Sequence, residues 1–397
     1  MAIATLQEAS TQGARTRLPA VTYLLGAGTF LMGTTEFIVA GLLPEIAADL
    51  GVTVANAGLM ITVFALGMIV GTPLMAIATL HLPRRTALAL SLVVFAAGHL
   101  VVAATSDFTL ILAARFATAL ATGAFWAVAA VVAARAAGPG AGSRALGVVL
   151  GGGMLANVLG VPLGALTGQS IGWRGPFWAL AALALIGAAV VYRLIADGDG
   201  GSVPSVRAEL ASLRDRRVWL VFAGAAIVCG SSLAAYSFIA PLLTTNTGLA
   251  VSAIPLVLIV YGIGALIGSF VGGNLGGRRP FTVLFTAAAM TFAVLALLSV
   301  FSHQPATTVV LIGLLGLFGM ATNPILIGKA VQYADRAPTL ASALSTSAFN
   351  FGTAVGSWIA GFALASVLGP TGPVLVGTAI AALYFLPLGL LVASERR

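Results

Sequence analysis

The sequence predicts an all-α membrane protein with twelve transmembrane helices in two pseudo-symmetric six-helix bundles. Three observations lead there: an extreme apolar composition, an unbroken row of membrane-length stretches, and an internal repeat. Hydrophobic residues make up 59% of the 397 and charged residues 8%, where soluble domains carry about 25% charged. Stretches of some 18 or more apolar residues, long enough to cross a bilayer, follow one another along nearly the whole chain. No segment shows the alternation over about ten residues that marks a transmembrane barrel strand.

Polar and turn clusters cut the first half into spans at 20–43, 57–79, 86–105, 108–134, 144–169 and 175–195. The second half divides at 217–243, 251–275, 280–301, 306–333, 338–367 and 373–393. Between them lies one long polar segment, "DGDGGSVPSVRAELASLRDRR", with the composition of a flexible linker. The expected units are a bundle over 1–195, a cytoplasmic linker over 196–216 and a second bundle over 217–397. The polar start up to Pro19, with Arg15 and Arg17, precedes a long first span without a small-residue cleavage site. It reads as an uncleaved first helix rather than a signal peptide.

Orientation follows from Lys and Arg in short loops, which concentrate on the cytoplasmic side. Of the 19 basic residues, all but Arg174 and Arg115 fall in the termini, the linker and one set of loops. Both termini are therefore expected in the cytoplasm, with the chain in the cell inner membrane. The halves also match each other. At an offset of 197, Gly33 meets Gly230, Pro44 meets Pro241 and Gly51 meets Gly248; near 196, Gly123 meets Gly319 and Gly160 meets Gly356. Transporters built from such repeats place their site near the midplane between the halves.

The net charge of +8 is dispersed over short loops, which argues against a nucleic-acid surface. A single cysteine, Cys229, excludes an intrachain disulfide, and three scattered histidines have no metal-ligand spacing. There is no nucleotide motif and no nucleophile–base constellation, so neither an enzyme nor an ATP-driven pump is expected. No cofactor is expected either.

With "MGTTEFIVAGLLPEIA" in span one, "GMIVGTPLMAIATLHLPRR" through the next turn, "RFATALATGAFWAVAA" in span four and "GVPLGALTGQSIGWRGPFW" at the end of span five, the chain resembles the major facilitator superfamily. More narrowly it is similar to the twelve-span drug:proton antiporters, in the branch with actinobacterial chloramphenicol exporters and sugar-efflux relatives. The resemblance implies alternating access, powered by the proton gradient, in a monomer that exports small amphiphilic compounds such as phenicol antibiotics. An exporter of a metabolite such as a sugar or nucleoside, and an uncoupled facilitator, are the competing readings. One departure stands out. The family's turn after span two carries an Asp-Arg pair where this chain has Leu80 and His81, which leaves Arg84 and Arg85; the second copy has Asn274 in place of the acid, before Arg278 and Arg279. These four arginines are the candidate gating cations of the two turns.

Glu36 is the one carboxylate well inside a span. At the bilayer centre a charge costs at least about 2.5–3.5 kcal/mol, so it belongs in a cavity or beside a partner. Arg115 is the other charge within the bilayer. Each lies about seven residues from the outer end of its span, or roughly 10 Å deep at 1.5 Å per residue, so the two are candidates for one interaction. Proton coupling and recognition of the substrate are the functional readings of Glu36, and a fixed structural pair is the plain one. The resemblance implies a coupling role for Arg115 as well. A histidine side chain ordinarily titrates near neutrality, which makes His99 a candidate relay, although a neutral histidine satisfied by its neighbours is the preferred reading. Asp107 reads as a helix cap.

Glycines recur every fourth residue at Gly160, Gly164, Gly168 and Gly172, again at Gly264, Gly268, Gly272 and Gly276, and at Gly352 and Gly356. Such faces let helix backbones approach closely. The resemblance makes the span-five set, with Pro162, a gating seam against span eight of the other half. Mostly apolar linings with a few placed polar groups suit drug-sized ligands; besides Glu36, the candidate linings are Trp126, Asn157, Tyr236, Phe238, Asn323, Asn350 and Trp358.

Overall fold

The computed structural model describes residues 18–78, 82–138, 141–195, 215–334 and 338–395. Residues 196–214, most of the expected linker, and 79–81, with Leu80 and His81, lie outside them. Among the described residues, twelve helices are long and apolar enough to span a membrane. In the first half they are α1 (Ala20–Gly41), α2 (Val54–Met75), α3 (Arg84–Ala104), α4 (Phe108–Ala136), α5 (Arg144–Ile171) and α6 (Gly175–Leu194). In the second they are α7 (Arg216–Ser237), α8 (Val251–Gly276), α9 (Pro280–Phe301), α10 (Pro305–Tyr333), α11 (Leu340–Ala365) and α12 (Gly369–Glu395). Six packed helices make up each half.

Prolines account for the irregularities. Span seven was expected to run to residue 243, but α7 ends at Ser237 and a short turn over Ile239–Pro241 follows. Pro241 has no N–H to donate to the Ser237 carbonyl and disfavours helix at the residue before it. α10 breaks at Thr322 ahead of Pro324. α5 opens into one π-helical turn at Ala156–Gly160, just before Pro162. Asp107 caps α4, its carboxylate accepting from the N–H groups of Thr109 and Leu110 at 2.8 and 3.1 Å. The repeat also shows in the turns: Gly51 and Gly248 both take positive φ, 64° and 72°, a conformation costly for residues with a Cβ.

Glycine decides which helices touch. A Cβ on Gly152 would stand 2.0 Å from the Gly26 carbonyl oxygen, joining α5 to α1; one on Gly352 would stand 1.9 Å from that of Ala226, joining α11 to α7. The same pairing recurs between α2 and α4, where Gly71 faces the Leu120 backbone at 2.9 Å, and between α8 and α10, where Gly268 faces the Leu317 oxygen at 2.0 Å. The sequence repeat is thus a repeat of backbone contacts.

The expected packing of α5 on α8 is present, but the repeated glycines themselves point elsewhere. Positions where a Cβ would collide run from Gly160 to Thr34, Gly164 to Ile38 and Gly168 to Leu42, the first two on α1 and the third just past its end, all in the same half. Pro162 is buried beside them. The α8 glycines turn to α10 within their own half. α5 meets α8 through a different glycine, Gly262, whose Cβ would stand 2.4 Å from the Asn157 carbonyl oxygen. Four-residue spacing shows that two backbones come close but carries no label for the partner.

A single apolar core joins the second half to one end of the first, through residues such as Ile38, Leu42, Ile61, Val102, Ile111, Val161 and Phe177. These lie toward the face opposite the described chain ends. From mid-membrane toward the face bearing those ends, the first half packs on itself around Leu25, Leu88, Leu92, Val132 and Val191. The apolar core shared by the two halves therefore closes the face opposite the chain ends. α2 and α11 remain joined by the Thr62 and Ser357 hydroxyls at 2.9 Å and by the Ser347 hydroxyl donating to the Ile69 carbonyl at 3.0 Å.

Gly268→Val sets a branched side chain against a backbone oxygen that cannot yield. It should cost about 1–3 kcal/mol as overpacking does, seen as a lower thermal midpoint in detergent. Gly389→Ala, with nothing within 4 Å of its Cβ, should be neutral or slightly stabilising.

Candidate functional site

The two intramembrane charges fall near each other without touching. Arg115 is fully buried. Its Nη1 donates to the Thr35 hydroxyl at 2.9 Å, its Nε to the Met60 carbonyl at 3.3 Å, and its guanidinium carbon lies 4.3 Å from the centre of the Phe64 ring. Nη2 has no partner. Glu36, next to Thr35 on α1, makes no ion pair with Arg115 within 4.0 Å, although it lies within electrostatic reach of Arg115 and, across the seam, of Cys229 on α7. It sits deep in the molecule and yet stays partly accessible. Threonine, not glutamate, takes the arginine's hydrogen bond.

His99 is satisfied at both ring nitrogens. Nδ1 lies 2.7 Å from the Phe95 carbonyl and Nε2 2.7 Å from the Thr35 hydroxyl. A carbonyl only accepts, so Nδ1 carries the hydrogen and, in the neutral ring, Nε2 accepts from Thr35. Phe95 stacks on the ring at 4.1 Å between centroids.

The other candidates divide. Trp126 and Asn157 are half-buried, and Trp126 edges α5 at Gly153, where a Cβ would meet the indole at 2.3 Å. Asn350 and Asn323 each keep a carbonyl oxygen without a partner; their amide nitrogens bond the Thr346 oxygen and the Met320 sulfur. Tyr236 is buried between the halves, edge-on to Phe37 at 6.0 Å and stacked on Tyr261 at 4.1 Å, and neither phenol hydroxyl has a partner. Two candidates are corrected. Phe238 is 1% exposed and plugs the closed face against Gly58, where a Cβ would meet its ring at 2.5 Å. Trp358 belongs to an exposed apolar stripe of α11 with Phe351, Val355, Ile359 and Phe362, the chemistry of a lipid-facing surface. Sequence cannot separate the faces of so uniformly apolar a helix.

Of the turn arginines, Arg278 and Arg279 are exposed, and Arg85 lies over the Tyr192 ring at 4.8 Å. Arg84 opens α3. Arg84, Arg278 and Arg279 meet no carboxylate within 4.0 Å among the described residues.

Sequence reasoning missed Thr35, the Met60 carbonyl, Phe64 and Tyr261. It also left Arg174 without a role. This lone basic residue of the opposite face ties three segments together: it pairs with Asp49, donates to the Thr105 carbonyl at 3.3 Å and the Ser106 hydroxyl at 3.1 Å, and lies 4.4 Å from the centre of the Trp173 ring. The guanidinium beside Asp49 holds its carboxyl below the usual carboxylate range, whereas burial pushes that of nearby Glu45 up. Glu45, Gln169, Trp173 and Val251 line a crevice of about 470 Å³ at the junction of the halves on this face.

Twelve membrane-length helices in two repeated bundles, with a partly accessible acid and a buried base near their junction, define a multi-pass membrane transport protein. The chain belongs to the Major Facilitator Superfamily, whose family model matches residues 25–238. It is 38% identical over 360 residues to a chloramphenicol resistance protein of Streptomyces lividans, covering 90% of this chain and 92% of that one. It is 30% identical to the inner membrane transport protein YdhP of Escherichia coli strain K12, covering 91% and 93%. Among solved structures, a bacterial homologue of the human lysosomal transporter Spinster, inward-facing and occupied, superposes with a TM-score of 0.72 at 16% identity, over 95% of this chain and 96% of that one; it shares the fold.

The Asp49–Arg174 pair gives a signed pH test. A depressed carboxyl stabilises the fold above its ordinary range and loses that contribution as the pH falls through its folded value. Arg174→Gln should therefore lower the thermal midpoint at pH 7, and the gap to the parent protein should narrow on acidification below the range where Asp49 ionises.

Proposed function

We propose that this transporter exports small amphiphilic compounds, phenicol antibiotics among them, in exchange for protons. Glu36 carries the exchanged proton. The observation that supports this best is its setting: a carboxylate deep in the bilayer region, partly accessible, within reach of Arg115 and of the other half, and fixed by no direct ion pair. A structural acid would be expected in a closed pair, since an uncompensated charge there is expensive.

The cycle follows from that placement. In a state open toward the face bearing the chain ends, ionised Glu36 and the half-buried Trp126 and Asn157 receive substrate from that side, with Asn350, Asn323 and Tyr236 as further polar contacts. The basic bias of the loops makes this face cytoplasmic in the cell inner membrane. Closure there and opening at the Phe37–Tyr236 and Gly58–Phe238 contacts exposes Glu36 to the outside, where protonation weakens its hold and releases the substrate. The phenicol assignment draws on similarity to the Streptomyces lividans protein. The proton gradient is the energy source, and a monomer suffices because both halves lie on one chain.

Glu36→Gln should abolish antibiotic-driven proton movement in proteoliposomes and remove pH-gradient-dependent efflux across an antibiotic panel in cells. Unchanged proton flux in this variant would refute the coupling role. A phosphatase domain fused after Arg397 should stay inactive in cells, as expected of a cytoplasmic end.

A further inference from the structure

We infer that Thr35 and His99 are positioning residues for proton coupling: together they form a clip that holds Arg115 back from Glu36. The inference rests on the proposed coupling role of Glu36 and adds what sets the distance between the two charges. The hydrogen bonds run in one direction. The Phe95 carbonyl fixes the hydrogen on Nδ1 of His99, so Nε2 presents a lone pair; the Thr35 hydroxyl gives its hydrogen to that lone pair and so turns its own lone pairs toward Arg115. His99 is 1% exposed and Thr35 fully buried, which leaves neither a solvent partner to substitute for the other.

Consecutive residues of an α-helix point about 100° apart, at 3.6 residues per turn, so Thr35 and Glu36 address neighbouring directions from one place on α1. Arg115 stands in the Thr35 direction. The Met60 carbonyl and the Phe64 ring hold its other edges, while Nη2 is left without an acceptor. Every acceptor the guanidinium touches is neutral, although hydrogen bonds to charged acceptors are roughly twice as strong. The titratable groups that reach Arg115 are Glu36 and His99, and Glu36 is reached in addition by Cys229 on α7. With the Thr35 acceptor gone, the strongest remaining partner for the guanidinium is the carboxylate one residue along. The clip thus keeps a cation at a distance from a carboxylate that has to take up and release a proton.

The test is an acid titration of the purified full-length protein in detergent, with proton uptake read by a pH dye. Each protein is differenced against its own Glu36→Gln version, so that only the Glu36 proton is counted. A nearer cation favours the carboxylate. Thr35→Val should therefore move the midpoint of that proton about one pH unit lower, a tenfold loss in proton affinity, while Thr35→Ser, which keeps the hydroxyl, should leave it in place. His99→Leu, differenced in its own background, should move it the same way and supplies the test if Thr35→Val does not fold. An unchanged midpoint in folded Thr35→Val or His99→Leu overturns the clip. A parent-minus-Gln difference of zero protons overturns instead the coupling role of Glu36 on which it rests.

Discussion

A guanidinium buried in a bilayer-spanning bundle is the constraint around which the first half is arranged. Water cannot solvate Arg115, so the fold must supply acceptors from three helices: the Thr35 hydroxyl from α1, the Met60 carbonyl from α2, and through Thr35 the imidazole of His99 on α3. These groups converge only if the backbones approach closely. Gly67 and Gly71 let α2 settle on α4 at Phe116, Ala119 and Leu120, and Gly98 lets α3 settle on α4 at Ala114 and Thr118. The glycine seams and the buried charge are two aspects of one requirement, that polar groups in hydrocarbon be satisfied from within.

The fold was legible because its signals are strong and additive. Helix length, loop charge and the repeat each depend on many residues, so twelve spans could be placed within a few positions. Glu36 and Arg115 were legible for the opposite reason: each is a lone exception against an apolar background. Depth along two helices was computable from sequence, and it placed the pair at one level.

What stayed hidden was rotation about the helix axes. Whether Arg115 meets Glu36 or Thr35 depends on about 100° of azimuth on α1, a quantity that composition does not encode. The same limit misassigned the α5 glycines to α8, hid the packing of Phe238 against Gly58 in the closed face, and set Trp358 in a cavity instead of on the lipid-facing stripe. Carbonyl acceptors such as Met60 leave no trace in side-chain identity. Arg174 was visible as an exception in the loop charges, but its three partners are brought together only by the tertiary fold.

The distribution of bond strengths between and within the halves carries a mechanical consequence. Among the described residues, the ion pairs lie inside one half or the other, Asp49 with Arg174 and Lys329 with Glu395. The polar links between halves are neutral, such as Thr62 with Ser357 and Gln169 with the Val251 carbonyl. Neutral hydrogen bonds contribute only about 0.5–1.5 kcal/mol net, and a hydroxyl can exchange one acceptor for another at little loss. Each bundle is accordingly braced internally by charge, while the joint between them is held by apolar packing and neutral hydrogen bonds alone.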